Sequence, residues 1–474
     1  MPPFSPTVTR RRVLLGGLAL SALGLGAPLS RSFAASPRSL TAGPGEALLL
    51  EEGQPKTRTW LYDGLSPGPI IRARQGEEVF LRLRNDLPQP TTVHWHGIRI
   101  DNAMDGVAGL TQDPVPPGGT FDYRFALPDA GTFWYHPHNR SWEQVARGLY
   151  GLLIVEEANP SGNITDVAIV ADDWRLGEDG QLDEASFGHM RDWSHAGRLG
   201  NILTLNGQDR LDIPVNHNEY LRLRLCNTCN ARILELRIEH PGIRLVAEDG
   251  QPVSPRALTD GYIRLAPGER ADLFMHMGLD PGSTAAITEV SGGQRVEAGR
   301  FVYHPTNRLA YRAQPVLDLP ANPLPSELDL GSALAVDLLM EGGAMGRMAG
   351  AMHRGQQMDI RSLVAEGLVW SFNGTAGMAE APLFAAALGR TVTVDLRNDT
   401  RWPHAMHFHG HHVKVLERNG RPSGTDAWKD TVLVDPLESA KVAFVADNPG
   451  KWMLHCHMLE HQAAGMATWF TVGI

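Results

Sequence analysis

Cysteine is nearly absent: three in 474 residues, Cys226, Cys229 and Cys456. Three thiols cannot build a disulfide scaffold, so the fold must rest on apolar burial. Beyond the N-terminal segment no run of 18 apolar residues occurs, which excludes a bilayer-spanning helix there. An excess of positive charge is also missing. With 43 Lys and Arg against 53 Asp and Glu, the formal net charge is −10. That balance argues against nucleic acid as a partner and tolerates cationic ligands. At 42% hydrophobic and 20% charged residues the composition excludes wholesale disorder. The length exceeds one compact core and predicts two or three domains. Fifty glycines and 33 prolines predict many turns and short strands rather than long helices.

Residues 1–35 read as an export signal. Thr9-Arg10-Arg11-Arg12-Val13-Leu14 is a twin-arginine motif, followed by a Gly/Ala/Leu-rich stretch and the small residues Ala34 and Ala35. The alternative is a membrane anchor, but the stretch is rich in glycine and is broken by Pro28. Cleavage is therefore expected, with export of the folded chain to the periplasm and no membrane association afterwards. Losing Arg10, Arg11, Arg12 and Arg31 takes the formal charge to about −14.

An internal repeat organises the rest. Three segments share a small-loop start, an alternating strand and a closing Asn: Asp63-Gly64 to Asn85, Asn206-Gly207 to Asn227, and Asn373-Gly374 to Asn398. Alternation of apolar and polar residues predicts half-buried strands. Spacings of about 140 and 170 residues are domain-sized, so three similar β domains are expected, not a solenoid. The predicted boundaries are 40–157, 158–310 and 325–474, with a Pro-rich connector at 314–330 and a Gly/Met-rich insertion at 341–358.

The repeat register carries the chemistry. Nine and eleven residues after Asn85 stand His94 and His96, and at the same offsets after Asn398 stand His407 and His409. The middle copy has Leu236 and Ile238 there, so it reads as a spacer between two outer domains that share a site. Four motifs, HWH (94–96), HPH (136–138), HAMHFH (404–409) and HCHMLEH (455–461), hold ten of the 19 histidines. Along a strand the two histidines of HxH face one way. One such pair is weak evidence of a metal; four of them, two at matched offsets, are strong evidence. In an extended HCH, Cys456 faces away from His455 and His457. Cys456, His404 and His461 can then meet on one face, with Met466 approaching from the returning loop. Two imidazoles, a thiolate and an axial thioether describe a blue-copper site. Eight histidines remain for the other face: His94, His96, His136, His138, His407, His409, His455 and His457. That exceeds the four tetrahedral ligands of an isolated zinc site and suffices for three coppers.

Over residues 40–474 the chain resembles the three-domain multicopper oxidases, of the laccase and bacterial cuprous-oxidase type. The resemblance implies an all-β fold of three cupredoxin-like Greek-key β-sandwich domains. It implies an oxidoreductase with O2 as acceptor and four copper ions: one type 1, one type 2 and two type 3. Type 1 would take His404, Cys456, His461 and Met466; type 2 would take His94 and His407. The type 3 pair would take His96, His136, His138, His409, His455 and His457. The donor's electrons would enter at type 1 and pass through Cys456 to His455 and His457, and O2 would become two waters. Asp105, eleven residues after His94, matches an acidic residue that the family places near the cluster for proton delivery. Relatives often carry acids just after the last histidine, where this chain has Gln462 and Ala463; Glu460 is a possible substitute.

Weaker signals concern the donor. Met345, Met348 and Met352 follow an i, i+3, i+7 pattern that a helical turn would gather on one face, a candidate site for substrate Cu(I). Five nearby glycines argue against a stable helix. A cuprous oxidase serving copper tolerance is the favoured reading. A laccase-like oxidase of phenols or other organic donors is the alternative, and a copper-binding scaffold without turnover is a third. A monomer is expected. Asp430 in WKDT is a candidate partner for a ligand histidine. Cys226 and Cys229 read as core packing, and of His411 and His412 one should be exposed and one packed.

Overall fold

The computed structural model describes residues 37–50, 53–158, 164–311, 315 and 317–473. The twin-arginine motif and its cleavage site lie outside them. Among the described residues the regular structure is nearly all β, arranged as three pairs of sheets and one separate two-stranded sheet, and no helix is long and apolar enough to cross a membrane.

Each repeat copy occupies the same place in its own sheet. The strands Glu78–Asn85, Glu219–Asn227 and Arg390–Asn398 each run parallel to an earlier strand. On the other side each pairs antiparallel with Thr120–Ala126, Arg270–Met277 or Ser439–Ala446. The closing Asn explains why the offsets matter. Asn85, Asn227 and Asn398 are buried, and each side-chain amide donates to main-chain carbonyls of the following loop and of a neighbouring segment. Each Oδ1 accepts the amide two residues on, at Leu87, Cys229 or Thr400. Such Asx turns give three loops one shape, so the residues nine and eleven positions later arrive at one place in each unit. In the middle copy those residues, Leu236 and Ile238, are buried in an apolar core of their own. In the outer copies they are histidines, and the first and last units share one continuous hydrophobic cluster.

The middle strand departs from its half-buried reading. Arg222 and Arg224, on its polar face, are buried, because Asp272, Glu157 and Asp166 pair with them. The arginine-bearing face is covered by neighbouring chain, and ion pairs make that burial tolerable.

The Gly/Met-rich insertion is not a helix. It makes a turn at Ala344–Met345 and then a hairpin, Gly350–His353 with Gln356–Asp359. A Cβ on Gly343 would meet the Trp370 ring, and one on Gly346 would meet the Gly342 carbonyl, so the chain passes where only glycine fits. The three methionines consequently do not share a helical face. Met348 packs with Ala351, Leu363, Leu368 and Ala376, while Met345 is 72% exposed and Met352 37%.

Candidate metal centre

The strand His94–His96 pairs antiparallel with Gly131–His136, His94 opposite His136. The strand His404–Phe408 pairs with Gly450–Cys456, so that His407 lies opposite His455 and Met406 opposite Cys456. These two pairings, from opposite ends of the chain, bring eight histidines into one buried group. The Nε2 atoms of His94 and His407 are 3.4 Å apart, and those of His409 and His455 are 3.1 Å apart. His138 meets His455 at 3.3 Å and His136 meets His457 at 3.4 Å, again through Nε2.

The proton positions show what such contacts require. Burial lowers the pKa of His96, His136, His138, His407, His409, His455 and His457, so these rings are neutral. A neutral imidazole has one N–H. In His136, His407 and His455 Nδ1 donates it to the carbonyls of Pro137, Asp430 and Cys456, at 2.9–3.0 Å. In His409 it donates to Asp105 Oδ2 at 2.9 Å. Each of those four Nε2 atoms is therefore a bare lone pair, and the lone pairs of His409 and His455, facing one another at 3.1 Å, repel unless a cation lies between them. His96 is reversed: its Nε2 donates to Asp430 Oδ1 at 3.0 Å, leaving Nδ1 bare and without a partner. The triplets His94/His407/His409, His94/His96/His136 and His138/His409/His455 each hold donor atoms within 4.8 Å of one another.

A second group lies on the other side of the same strand. Cys456 Sγ is 3.6 Å from His404 Nδ1 and 3.8 Å from His461 Nδ1. The outer nitrogens are occupied, His404 Nε2 by Thr400 Oγ1 at 2.9 Å and His461 Nε2 by the His195 carbonyl at 2.7 Å. Met466 is fully buried in the same core cluster, and its carbonyl accepts from the Cys456 amide at 3.1 Å. Burial pushes the Cys456 thiol up to about 12, so only a bound cation would hold it as thiolate at neutral pH. The donor set of soft sulfur and imidazole fits copper.

Two multicopper oxidase family models match residues 47–160 and 351–474. A multi-copper oxidase structure from Pseudomonas thermotolerans is 32% identical, covering 92% of this chain and 99% of that one, with a TM-score of 0.77. The structure of Lac15 from a marine microbial metagenome is 37% identical over 92% of this chain and all of that one, with a TM-score of 0.71. The multicopper oxidase MmcO of Mycobacterium tuberculosis (strain ATCC 25618 / H37Rv) is 29% identical over 95% of this chain and 91% of the relative.

The chain is a multicopper oxidase. It is thus an oxidoreductase that uses copper and O2, and its units are cupredoxin-like. Several buried groups hold the oxidase's histidines in place. Asp105, fully buried, accepts from His94 through its carbonyl and from His409 through its carboxylate. Asp430 accepts from His96, and its carbonyl accepts from His407. Burial opposes the Asp430 charge, but Arg270, His96 and His407 hold its carboxyl well below the usual range. Arg270 grips both Asp430 oxygens, at 2.8 and 2.6 Å. Arg270 belongs to the middle copy, so that copy is more than a spacer.

A cavity of about 490 Å³, lined in part by Val107, Leu110, Met453 and Gln462, reaches His138. Gln462 Oε1 accepts from Ser141 Oγ at 3.0 Å. Glu460 is buried away from the histidine group: Oε1 accepts from Asn230 Nδ2 at 2.7 Å, and Oε2 lies toward Gly197. That placement argues against Glu460 replacing the missing acid. His411 and His412 are both buried, contrary to the expectation that one is exposed, because His411 packs among Phe444, Trp452 and Phe470 while His412 meets Gln251. Cys226 and Cys229 are buried free thiols.

Arg270, Thr400, Trp370 and His195 carry no sequence signal of a role. Trp370 packs on both His404 and His461, with ring centroids at 5.1 and 4.5 Å.

Proposed function

We propose that this oxidase couples one-electron oxidation of a donor at a type 1 copper to reduction of O2 to water at a three-copper cluster. His404, Cys456, His461 and Met466 would hold the type 1 ion, His94 and His407 the type 2 ion, and His96, His136, His138, His409, His455 and His457 the type 3 pair. When bound, copper accepts single electrons at the cysteine group and delivers four to O2 at the histidine group. The protein's own part is positional. Adjacent residues of one strand, His455 and Cys456, serve the two groups, so a continuous covalent path joins them. Asp105 keeps His409 in the Nδ1–H form and is our candidate for moving protons. The twelve proposed copper ligands are buried, and the cavity described above reaches one of them, His138.

The observation that carries this reading is the buried histidine group, with the bare Nε2 lone pairs of His409 and His455 pointed at one another and donor triplets within 4.8 Å. The test is a copper count with an absorption spectrum. About four coppers per chain and an intense thiolate-to-copper band are expected, with Cys456→Ser abolishing both the band and O2 uptake. O2 uptake with any one-electron donor also disposes of the scaffold reading. One or two coppers with no such band would defeat the assignment.

The donor we favour is organic, because the Met-rich insertion, which together with the acidic surface motivated the cuprous reading, does not gather its methionines on one face. Cu(I) stays as the second reading, since Met345 is exposed beside this site and a relative bears the name copper resistance protein A homolog. Deleting residues 341–358 and assaying Cu(I) and a phenol side by side separates the two. The twin-arginine motif supports a periplasmic location, and a role in copper homeostasis would follow from the second reading.

A further inference from the structure

The outer edge of the cysteine group is closed by a segment from the middle of the chain. The helix Met190–Ser194 ends at His195, whose carbonyl takes the His461 Nε2–H at 2.7 Å. Two further bonds fasten this segment. Trp370 Nε1 donates to the Trp193 carbonyl at 2.6 Å, and the Ala344 amide donates to the Ser194 carbonyl at 2.6 Å. Trp402, which follows the Asn398 turn, donates Nε1 to the Ala344 carbonyl at 3.1 Å. The outer nitrogens of both candidate type 1 histidines are therefore already bonded to protein, and a donor arriving from solvent does not meet His461 directly.

The surface it meets is aromatic. The rings of His195 and Trp402, both half-buried, lie with centroids 5.2 Å apart, tilted by 53°. His195 Nδ1 is engaged by Ser194 Oγ at 2.9 Å, which orients the imidazole. Met345, next to the pinned Ala344, is 72% exposed and adds a polarisable edge. The other methionines of the insertion do not converge here: Met348 packs in a separate core, and Met352 lies on the hairpin.

Resting on the oxidase reading above, we infer that a planar, electron-rich aromatic donor docks on the His195–Trp402 face, and that its electron leaves through the His195 carbonyl and the hydrogen bond to His461. Two π-faces side by side suit an aromatic ring, and one hydrogen bond from the peptide to a ligand imidazole is the shortest protein route inward. The step balances as follows. A phenol gives one electron to the type 1 site and its hydroxyl proton to solvent, leaving a phenoxyl radical. Four such withdrawals, with four protons, reduce one O2 to two waters. His195 and Trp402 are positioning residues in this scheme.

The test uses the full copper-loaded chain and the copper-free chain in parallel. His195→Ala keeps the peptide carbonyl, so the thiolate band and the type 1 potential should stay as in wild type. KM for 2,6-dimethoxyphenol should rise about 3- to 10-fold, with kcat within about twofold, as expected for one lost ring contact. In the copper-free protein, 4-nitrophenol, which is too electron-poor to turn over readily, should quench tryptophan fluorescence saturably. His195→Ala and Trp402→Leu should each weaken that quenching. Unchanged KM and unchanged quenching in both variants would overturn the inference. So would a KM change confined to Cu(I), or a bound donor touching His461. A wild-type protein lacking the band and O2 uptake would instead sink the oxidase reading, and the quenching titration still decides the docking face.

Discussion

Replacing Arg270 with Met tests whether the middle copy holds the copper site together. The Arg270 side chain is wholly buried, and besides the two bonds to Asp430 it donates to the carbonyls of Thr132 and Gly268, at 3.1 and 3.0 Å. Methionine fills much of the same volume but leaves Asp430 without its cation and Asp249, 3.6 Å from the guanidinium, with one fewer counter-charge. Breaking a buried pair from one side costs about 3–5 kcal/mol, because the remaining carboxylate stays desolvated. Urea unfolding of the copper-free protein should show a loss of that size. Arg270→Lys keeps the charge but lacks the two-pronged fork, so it should recover only part of it. In Arg270→Met/Asp430→Asn the uncompensated charge is gone, and its cost should fall below the sum of the two single changes. A second readout is specific to the site. Asp430 keeps His96 in the Nε2–H form with Nδ1 bare. If that tautomer serves copper, Arg270→Met should lose metal from the histidine group and keep the thiolate band. A cost under about 1 kcal/mol, or full copper retention, would refute the reasoning.

Burial raises the Glu460 carboxyl from 4.5 to about 7. A folded value above the unfolded one means that its proton stabilises the fold fully below pH 4.5, and that this contribution is lost as pH rises through about 7. Glu460→Gln removes the dependence and should gain on wild type by up to about 3 kcal/mol between pH 5 and 8 in the copper-free protein; a flat difference would refute it. Asn398→Ala should cost about 2–4 kcal/mol, since the buried amide serves the Trp402, Val434 and Asp435 carbonyls. It should also perturb the type 1 band, because Thr400, whose amide donates to Asn398 Oδ1 in the turn, touches His404. The same change at Asn227 should cost comparable stability and leave the band alone. An unaltered spectrum for Asn398→Ala would break the link between turn and site.

Most of the proposed metal-binding set was legible because its signal is local. HxH alternation and a fixed offset from a closing Asn are properties of strand geometry and turn chemistry, which the chain carries in a few consecutive residues. The same local logic gave the three β units and the aliphatic middle copy. The fold supplied what depends on residues far apart in the chain. Which nitrogen of each histidine is bare depends on carbonyls and carboxylates such as Asp105 and Asp430 meeting rings more than 300 residues away. No pattern in sequence marks Arg270 as the partner of Asp430, or His195 as the cap on His461, since each is an ordinary polar residue in its own stretch. The methionine spacing misled for a related reason: i, i+3, i+7 implies a shared face only in a helix, and the glycines threading past Trp370 impose a turn and a hairpin. Sequence alone determined which side chains are candidates to bind copper, because alternation and turns act over ten residues. Only the tertiary structure decided how those side chains are protonated, clamped and covered, because that depends on chain segments hundreds of residues apart packing into one dry interior.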